Sequence, residues 1–242
     1  MDNTSYSSAA LSAKTYYDTE ATDCMYAMIW GGEHIHYGIY QHFDEPIHDA
    51  AQRTVETMAR QLEGITPTSR IIDLGAGYGG TARYLASTYG CQVVCLNISE
   101  VQNQRNEQLN KKHQLENLVT VKSGNFEDIP FPDDAFDIVW SQDAFLHSSN
   151  RSRILEEVRR VLKKGGDLIF TDPMQSPICP PGTVQAALDR LNINEIASAD
   201  FYRDTLQNLG FQEVCFIDLS AEVPTHYKRF SQSNDLAISA CF

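Results

Sequence analysis

Asp73, Gly75, Gly77 and Gly79 follow one another at two-residue spacing directly after Ile71-Ile72. A carboxylate at the end of a β-branched run, followed by glycines that permit a tight turn and expose bare backbone, suits a nucleotide-like cofactor. Alone, the pattern also fits NAD enzymes and plain structural corners. Further polar clusters narrow it. Asn97 closes the run Val93-Val94-Cys95-Leu96, at the place where an acid usually grips ribose hydroxyls; an amide can donate to one hydroxyl and accept from the other. Gln102, three residues after Ser99, either joins that contact or only completes a capping box. Asn125 and Phe126 follow Val119-Thr120-Val121 and offer an amide and an aromatic face, which suit an adenine. Ser141-Gln142-Asp143-Ala144-Phe145-Leu146-His147 follows a fourth apolar run, and Asp172-Pro173-Met174 follows a fifth. A four-residue spacing brings Asp143 and His147 within reach if the segment is helical, whereas the bland reading of His147 is a buried, satisfied histidine.

Each cluster needs a strand end to hold it. Strand and helix signals alternate, with strands expected at 71–74, 93–96, 119–121, 136–140 and 168–171, which is the mark of βαβ units and a parallel sheet. The expected fold is α/β, Rossmann-like, and its polar clusters gather at the carboxyl ends of the strands. A helix is expected from Asp44-Glu45-Pro46, with Asp44 capping and Ile47, Ala51, Val55, Met58 and Leu62 on one face. Another ends at Gly90, one starts at Ser99, and one carries Ile154, Leu155, Val158, Val161 and Leu162 up to a break at Gly165-Gly166. Residues 1–14 read as a disordered arm, 15–242 as one domain, and 15–43 as an aromatic-rich lid. Glu213 to Leu219 reads as a sixth strand, with Leu236 to Cys241 as either a closing strand or the end of a shortened form.

Composition excludes several classes. The 242 residues, 42% of them hydrophobic, are enough for one core and not for two full domains. Thirty-two acids against 19 bases give a net charge of −13, which repels nucleic acid. Six cysteines without paired spacing suit a reducing compartment, and no apolar run reaches membrane-spanning length, so a cytoplasmic location is expected, as a monomer or homodimer. His34 and His36 alternate but lack an acid or cysteine at ligand spacing, so no metal is expected.

Taken in order, Asp73-Leu74-Gly75-Ala76-Gly77-Tyr78-Gly79-Gly80, Leu96-Asn97-Ile98-Ser99 with Gln102, Asp128-Ile129-Pro130-Phe131 and Leu162-Lys163-Lys164-Gly165-Gly166 resemble the motifs of class I S-adenosylmethionine-dependent methyltransferases. Within that family, Trp30-Gly31-Gly32-Glu33-His34-Ile35-His36-Tyr37-Gly38-Ile39-Tyr40, Ser141 to His147 and Asp172-Pro173-Met174 are most similar to sarcosine/dimethylglycine N-methyltransferases, which complete glycine betaine. The resemblance implies S-adenosylmethionine as cofactor. It puts Asp73, Gly75 and Gly77 at the methionine end, Asn97 and Gln102 at the ribose, and Asn125 and Phe126 at the adenine, with Tyr17, Trp30 and Gln142 also in contact. Tyr26, Asp143 and His147 match the active-site tyrosine, aspartate and histidine of a second branch, the phosphoethanolamine methyltransferases. Arg190 falls near the arginine with which that branch holds phosphate, while Met174 departs from its tyrosine.

Such chemistry asks for positioning more than for side-chain reactivity. A protonated amine must still shed a proton, and His147, Asp143 or Tyr26 can accept it. Tyr26, Trp30, His36, Tyr37, Met174, Arg190 and Tyr202 are the expected substrate contacts, with rings for the cation and Arg190, or Arg203 behind it, for the carboxylate. A non-catalytic cofactor-binding protein is the rival from another class, and NAD oxidoreduction is disfavoured by Asn97 and by length.

Overall fold

The computed structural model describes residues 6–30, 32–191 and 193–240, and only the backbone of 187, 190, 191 and 233–240. Five parallel strands stand in the order β3-β2-β1-β4-β5: β1 Arg70–Leu74, β2 Gln92–Asn97, β3 Val119–Ser123, β4 Phe136–Gln142 and β5 Leu162–Thr171. Strand order reverses between β1 and β4, and the crevice beyond the carboxyl ends of those two strands is where such sheets collect ligands. Register places Leu74 beside both Leu96 and Ser141, so Gly75, Asn97 and Gln142 come to one level.

The side-chain period of two divides the core. Ile71, Val93 and Trp140 face helices α3 (Ile47–Ala59) and α4 (Gly80–Tyr89), packing on Val55, Met58, Ala82 and Leu85. Ile72, Leu74, Leu96 and Val139 face α6 (Arg151–Val161) through Ile154, Leu155, Val158 and Val161. Helix α5 (Glu100–Lys112) lies on β2 and β3. A parallel sheet covered on both faces explains why these strands read as continuous apolar runs.

Five expectations change. Residues 8–14 are not a loose arm: α1 spans Ser8–Tyr17, with Ser7 Oγ accepting Ala10 N–H at 3.2 Å as its cap, and residues 1–5 lie outside the description. Helix α3 starts one residue after Pro46 without a side-chain cap, because the chain enters through a turn whose Glu45 is held by Arg53. Strand β5 runs through Gly165 and Gly166 instead of starting after them; a Cβ on Gly166 would lie 2.6 Å from the Asp137 carbonyl oxygen, so glycine allows close strand approach there. Residues 211–219 form no strand, and 223–240 form α9 (Val223–Ala240) where a closing strand was expected at 236–241. His226 and Phe230, one helical turn apart, both dock on the Trp30 ring, whereas along an extended strand they would stand about 13 Å apart.

Over the carboxyl edge of the sheet lies the lid, made of α1, α2 (Glu20–Ile29) and the loop to α3. It is tied down at several points. Lys14 Nζ donates to Ile98 O, Ser99 Oγ donates to Asp18 at 2.7 Å, and Arg105 with Tyr78 holds Asp23. Among the described residues no helix is long and apolar enough to cross a membrane, and no cluster of potential ligands for a metal occurs.

Candidate active site

Two adjoining hollows open at the crevice, sharing Ile35 and His36. The first, of about 310 Å³, is lined by Asp73, Gly75, Gly77, Thr81, Gln142 and the lid residues Glu33 and His34. Gly75 (φ +76°) and Gly77 (φ +52°) take the left-handed conformation, and a Cβ on Gly75 would lie 2.4 Å from that of Ala144. Burial pushes the Asp73 carboxyl up to about 7, an effect that a ligand cation beside it would reverse. Gln142 Oε1 receives both Thr81 Oγ1–H (2.7 Å) and Trp140 Nε1–H (2.9 Å), which fixes the amide's orientation. Its Nε2, fully buried, has no partner among the described residues. An acidic acceptor and an unpartnered amide donor in one hollow match the ammonium and carboxylate of an amino-acid end group.

Beyond β2, Asn97 Nδ2 donates to Gln102 Oε1 at 3.0 Å. Ser99 Oγ caps the Gln102 N–H, but the Gln102 side chain turns to Asn97 and not back to the Ser99 backbone. Asn125 Oδ1 is taken by the Glu127 N–H at 3.0 Å, and the half-buried Phe126 ring stands 3.8 Å from a Cβ built on Gly75 and edge-on to Phe145. None of these four residues lines either hollow: Asn97 ends β2, Gln102 is on α5, and Asn125 and Phe126 follow β3.

The second hollow, about 480 Å³, is aromatic. Tyr17, Tyr26, Trp30 and Tyr37 come from the lid, Asp143, Leu146, His147 and Pro173 from the strand ends, and His226 and Tyr227 from α9. Tyr17 and Trp30 line this hollow and not the first, although the resemblance implied cofactor contact. The Tyr17 hydroxyl lies 3.0 Å from His147 Nε2, and burial with the nearby Arg151 charge lowers the imidazole to about 4, so it is neutral near pH 7. Phe145–His147 is a single 3-10 turn, and Asp143 lies before it, so the expected helical pairing of Asp143 with His147 is absent: the Asp143 oxygens accept Tyr37 N–H (2.8 Å) and Thr171 Oγ1–H (2.9 Å). Burial raises Asp143 to about 6. His36 sits between the hollows, its Nε2 3.3 Å from His34 Nδ1 and its Nδ1 3.2 Å from the Tyr37 carbonyl oxygen. Burial holds its imidazole well below the usual range.

Three expected substrate residues stand elsewhere. Tyr202, 2% exposed, is core, and its hydroxyl donates to Asp172 Oδ2 at 2.7 Å. Met174 packs against the same core, leaving Pro173 to reach the hollow. Arg203 is exposed, paired with Glu213 at 2.7 Å and stacked on Phe216. Arg190 lies on α7 (Gln185–Leu191), its side chain outside the described residues. No lysine or arginine is among the described residues lining either hollow.

The methyltransferase domain family matches residues 72–170. A sarcosine/dimethylglycine N-methyltransferase from Halorhodospira halochloris is 49% identical over 92% of this chain and 80% of its own. The enzyme of that name from Aphanothece halophytica is 45% identical over the same shares. The chain belongs to the sarcosine/dimethylglycine N-methyltransferase family. A solved structure of a proposed sarcosine dimethylglycine methyltransferase from Galdieria sulphuraria superposes with a TM-score of 0.86, at 36% identity, over 93% of this chain and 85% of that one. A Haemonchus contortus phosphoethanolamine methyltransferase superposes with a TM-score of 0.81 at 17% identity, a likeness of fold alone.

For this methyltransferase, sequence reasoning missed His226 and Tyr227, which stand in a segment without a motif. It also missed Thr81, whose hydroxyl orients Gln142. The four-residue spacing of His226 and Phe230 fits one face of a helix and one face of a strand alike, so it gave no decisive signal for α9.

Proposed function

We propose that this methyltransferase methylates the amine of sarcosine and of dimethylglycine, the latter to glycine betaine, with S-adenosylmethionine as donor. The match to two enzymes named for those substrates across 92% of the chain carries this reading. The aromatic hollow adjoining the Asp73–Gln142 cradle supports it. When bound, the cofactor supplies a methyl group already activated on a sulfonium.

The chain's part is to position, desolvate and remove a proton. Asp73 and Gln142 offer an acceptor and a donor to the methionine end, Asn97 and Gln102 to the ribose, and Asn125 with Phe126 to the adenine. Tyr26, Trp30 and Tyr37 turn rings to the amine, each worth roughly 0.5 to 2 kcal/mol for a desolvated cation. A protonated amine gives its proton to neutral His147, which Tyr17 orients. Unprotonated dimethylglycine needs no base, since quaternisation releases no N–H proton. Arg190 is the proposed partner of the substrate carboxylate. The same reading has the protein in the cytoplasm, acting on a small solute without nucleic acid or membrane, as monomer or homodimer.

Methyl-transfer kinetics with dimethylglycine, sarcosine, glycine and phosphoethanolamine test the reading. Turnover of the first two is expected. Preference for phosphoethanolamine overturns the substrate class, and cofactor binding without turnover on any amine makes the chain a non-catalytic binder.

A further inference from the structure

Helix α9 faces the lid across the second hollow. Tyr227 Oη lies 2.7 Å from Tyr37 Oη, with ring centroids 5.9 Å apart, and the His226 ring lies 5.3 Å from Trp30 and 4.9 Å from Tyr37. His226 is 1% exposed, and its Nδ1 accepts the Gly38 N–H at 3.3 Å, so the ring is fixed against the lid backbone. Trp30 in turn packs at a tilt against Tyr26, with centroids 4.8 Å apart, and against Phe230 of α9, also at 4.8 Å. The lid and α9 thus surround the hollow with rings from two sides.

The carboxylate in the same space already has donors. Asp143 takes Tyr37 N–H and Thr171 Oγ1–H. In a hollow of this composition an N–H and an N–CH₃ are not equivalent. An N–H brought out of water needs an acceptor, whereas a methyl on a cationic nitrogen needs only a ring face. In any one protonation state sarcosine carries one more N–H than dimethylglycine. A wall lined with rings, whose carboxylate is already engaged, therefore favours the more methylated amine and the quaternary product.

We propose that α9, through Tyr227 and His226, completes an aromatic cage that selects the amine by its number of methyl groups, favouring dimethylglycine over sarcosine. This rests on the function proposed above and assigns a specificity element to it.

Tyr227→Leu and Tyr227→Phe test the cage, with KM for both amines, inhibition by glycine betaine, and S-adenosylhomocysteine affinity as a check on folding. In Tyr227→Leu the KM for dimethylglycine and the inhibition constant of glycine betaine are expected to rise about tenfold, and the KM for sarcosine about threefold or less. Tyr227→Phe keeps the wild-type ratio of the two KM values. Should Tyr227→Leu fail to fold, fluorinated phenylalanines at position 227 weaken the ring's negative face without changing its shape, and glycine betaine affinity should fall with each added fluorine. Equal rises for both amines, or a flat fluorination series, overturn the cage while leaving the function intact. A wild-type enzyme active on neither amine removes the function and the cage together.

Discussion

The backbone N–H of Tyr37 donates to Asp143 Oδ2 at 2.8 Å, joining positions 106 residues apart. Asp143 holds this bond from φ +50°, a conformation rare for a residue with a side chain, while Thr171 occupies its other oxygen. The carboxylate is a latch between lid and sheet. Asparagine keeps an acceptor for Tyr37 and a donor for Thr171, whereas alanine keeps neither. Asp143→Asn is therefore expected to retain kcat/KM within about threefold, and Asp143→Ala to lose about tenfold, or ~1.4 kcal/mol. Equal losses in the two variants would make Asp143 the proton acceptor.

Asp73, raised to about 7 by burial, predicts a pH dependence of cofactor affinity. Because its folded value lies above the usual 3.8, its contribution to stability is full below that value and lost as pH rises through about 7. An ammonium beside it favours the ionised form, so binding gains the opposite slope. S-adenosylhomocysteine affinity should rise from pH 6 to 8 with proton release. Asp73→Asn should flatten the profile and weaken binding at pH 8 by about 1.5 to 3 kcal/mol. Calorimetry in buffers of different ionisation enthalpy counts the protons; a flat wild-type profile would remove Asp73 from the ligand's ammonium.

His147, lowered to about 4, carries the opposite sign. Stability linked to it is present above the usual 6.5 and is lost as pH falls through about 4. Neutral at pH 7, it has a lone pair to take a proton from a secondary amine, and because a value near 4 makes it a weak base, the transfer requires that the same hollow lower the amine as well. His147→Ala is expected to slow sarcosine methylation by about 10²-fold, and dimethylglycine methylation less, after correction for the two amine pKa values. Equal losses assign His147 to positioning alone, and no loss on either substrate leaves it a structural residue.

The sheet was legible because strands buried on both faces write unbroken apolar runs, and the first hollow because Asp73, Gly75 and Gly77 are near neighbours in sequence. The second hollow joins Tyr17, His147 and Tyr227, which no local pattern connects. Asp143 and His147 misled because a four-residue spacing signifies proximity only in a continuous helix, and here a left-handed residue precedes a single 3-10 turn. Tyr202 misled because a tyrosine near a site reads as a ring for the substrate when its hydroxyl serves a buried carboxylate. At the amino end, serine and alanine suggested disorder, yet alanine is the strongest helix former and Ser7 supplies the cap.

Tyr202 gives the last prediction, because its hydroxyl supports Asp172, whose second oxygen accepts the Leu146 N–H at 3.1 Å beside His147. Burial first, and then the Asp143 charge, raise Asp172 to about 7, while the Tyr202 hydrogen bond pulls it down. Tyr202→Phe removes a donor that favours the ionised carboxyl, so its cost grows as pH rises through about 7. Urea unfolding should show a loss of about 1 to 3 kcal/mol at pH 8 and a smaller one at pH 6, with little change in KM for dimethylglycine. The pH contrast separates a lost carboxylate partner from simple cavity formation, which would cost the same at both values. A rise in KM with unchanged stability would instead return Tyr202 to the substrate.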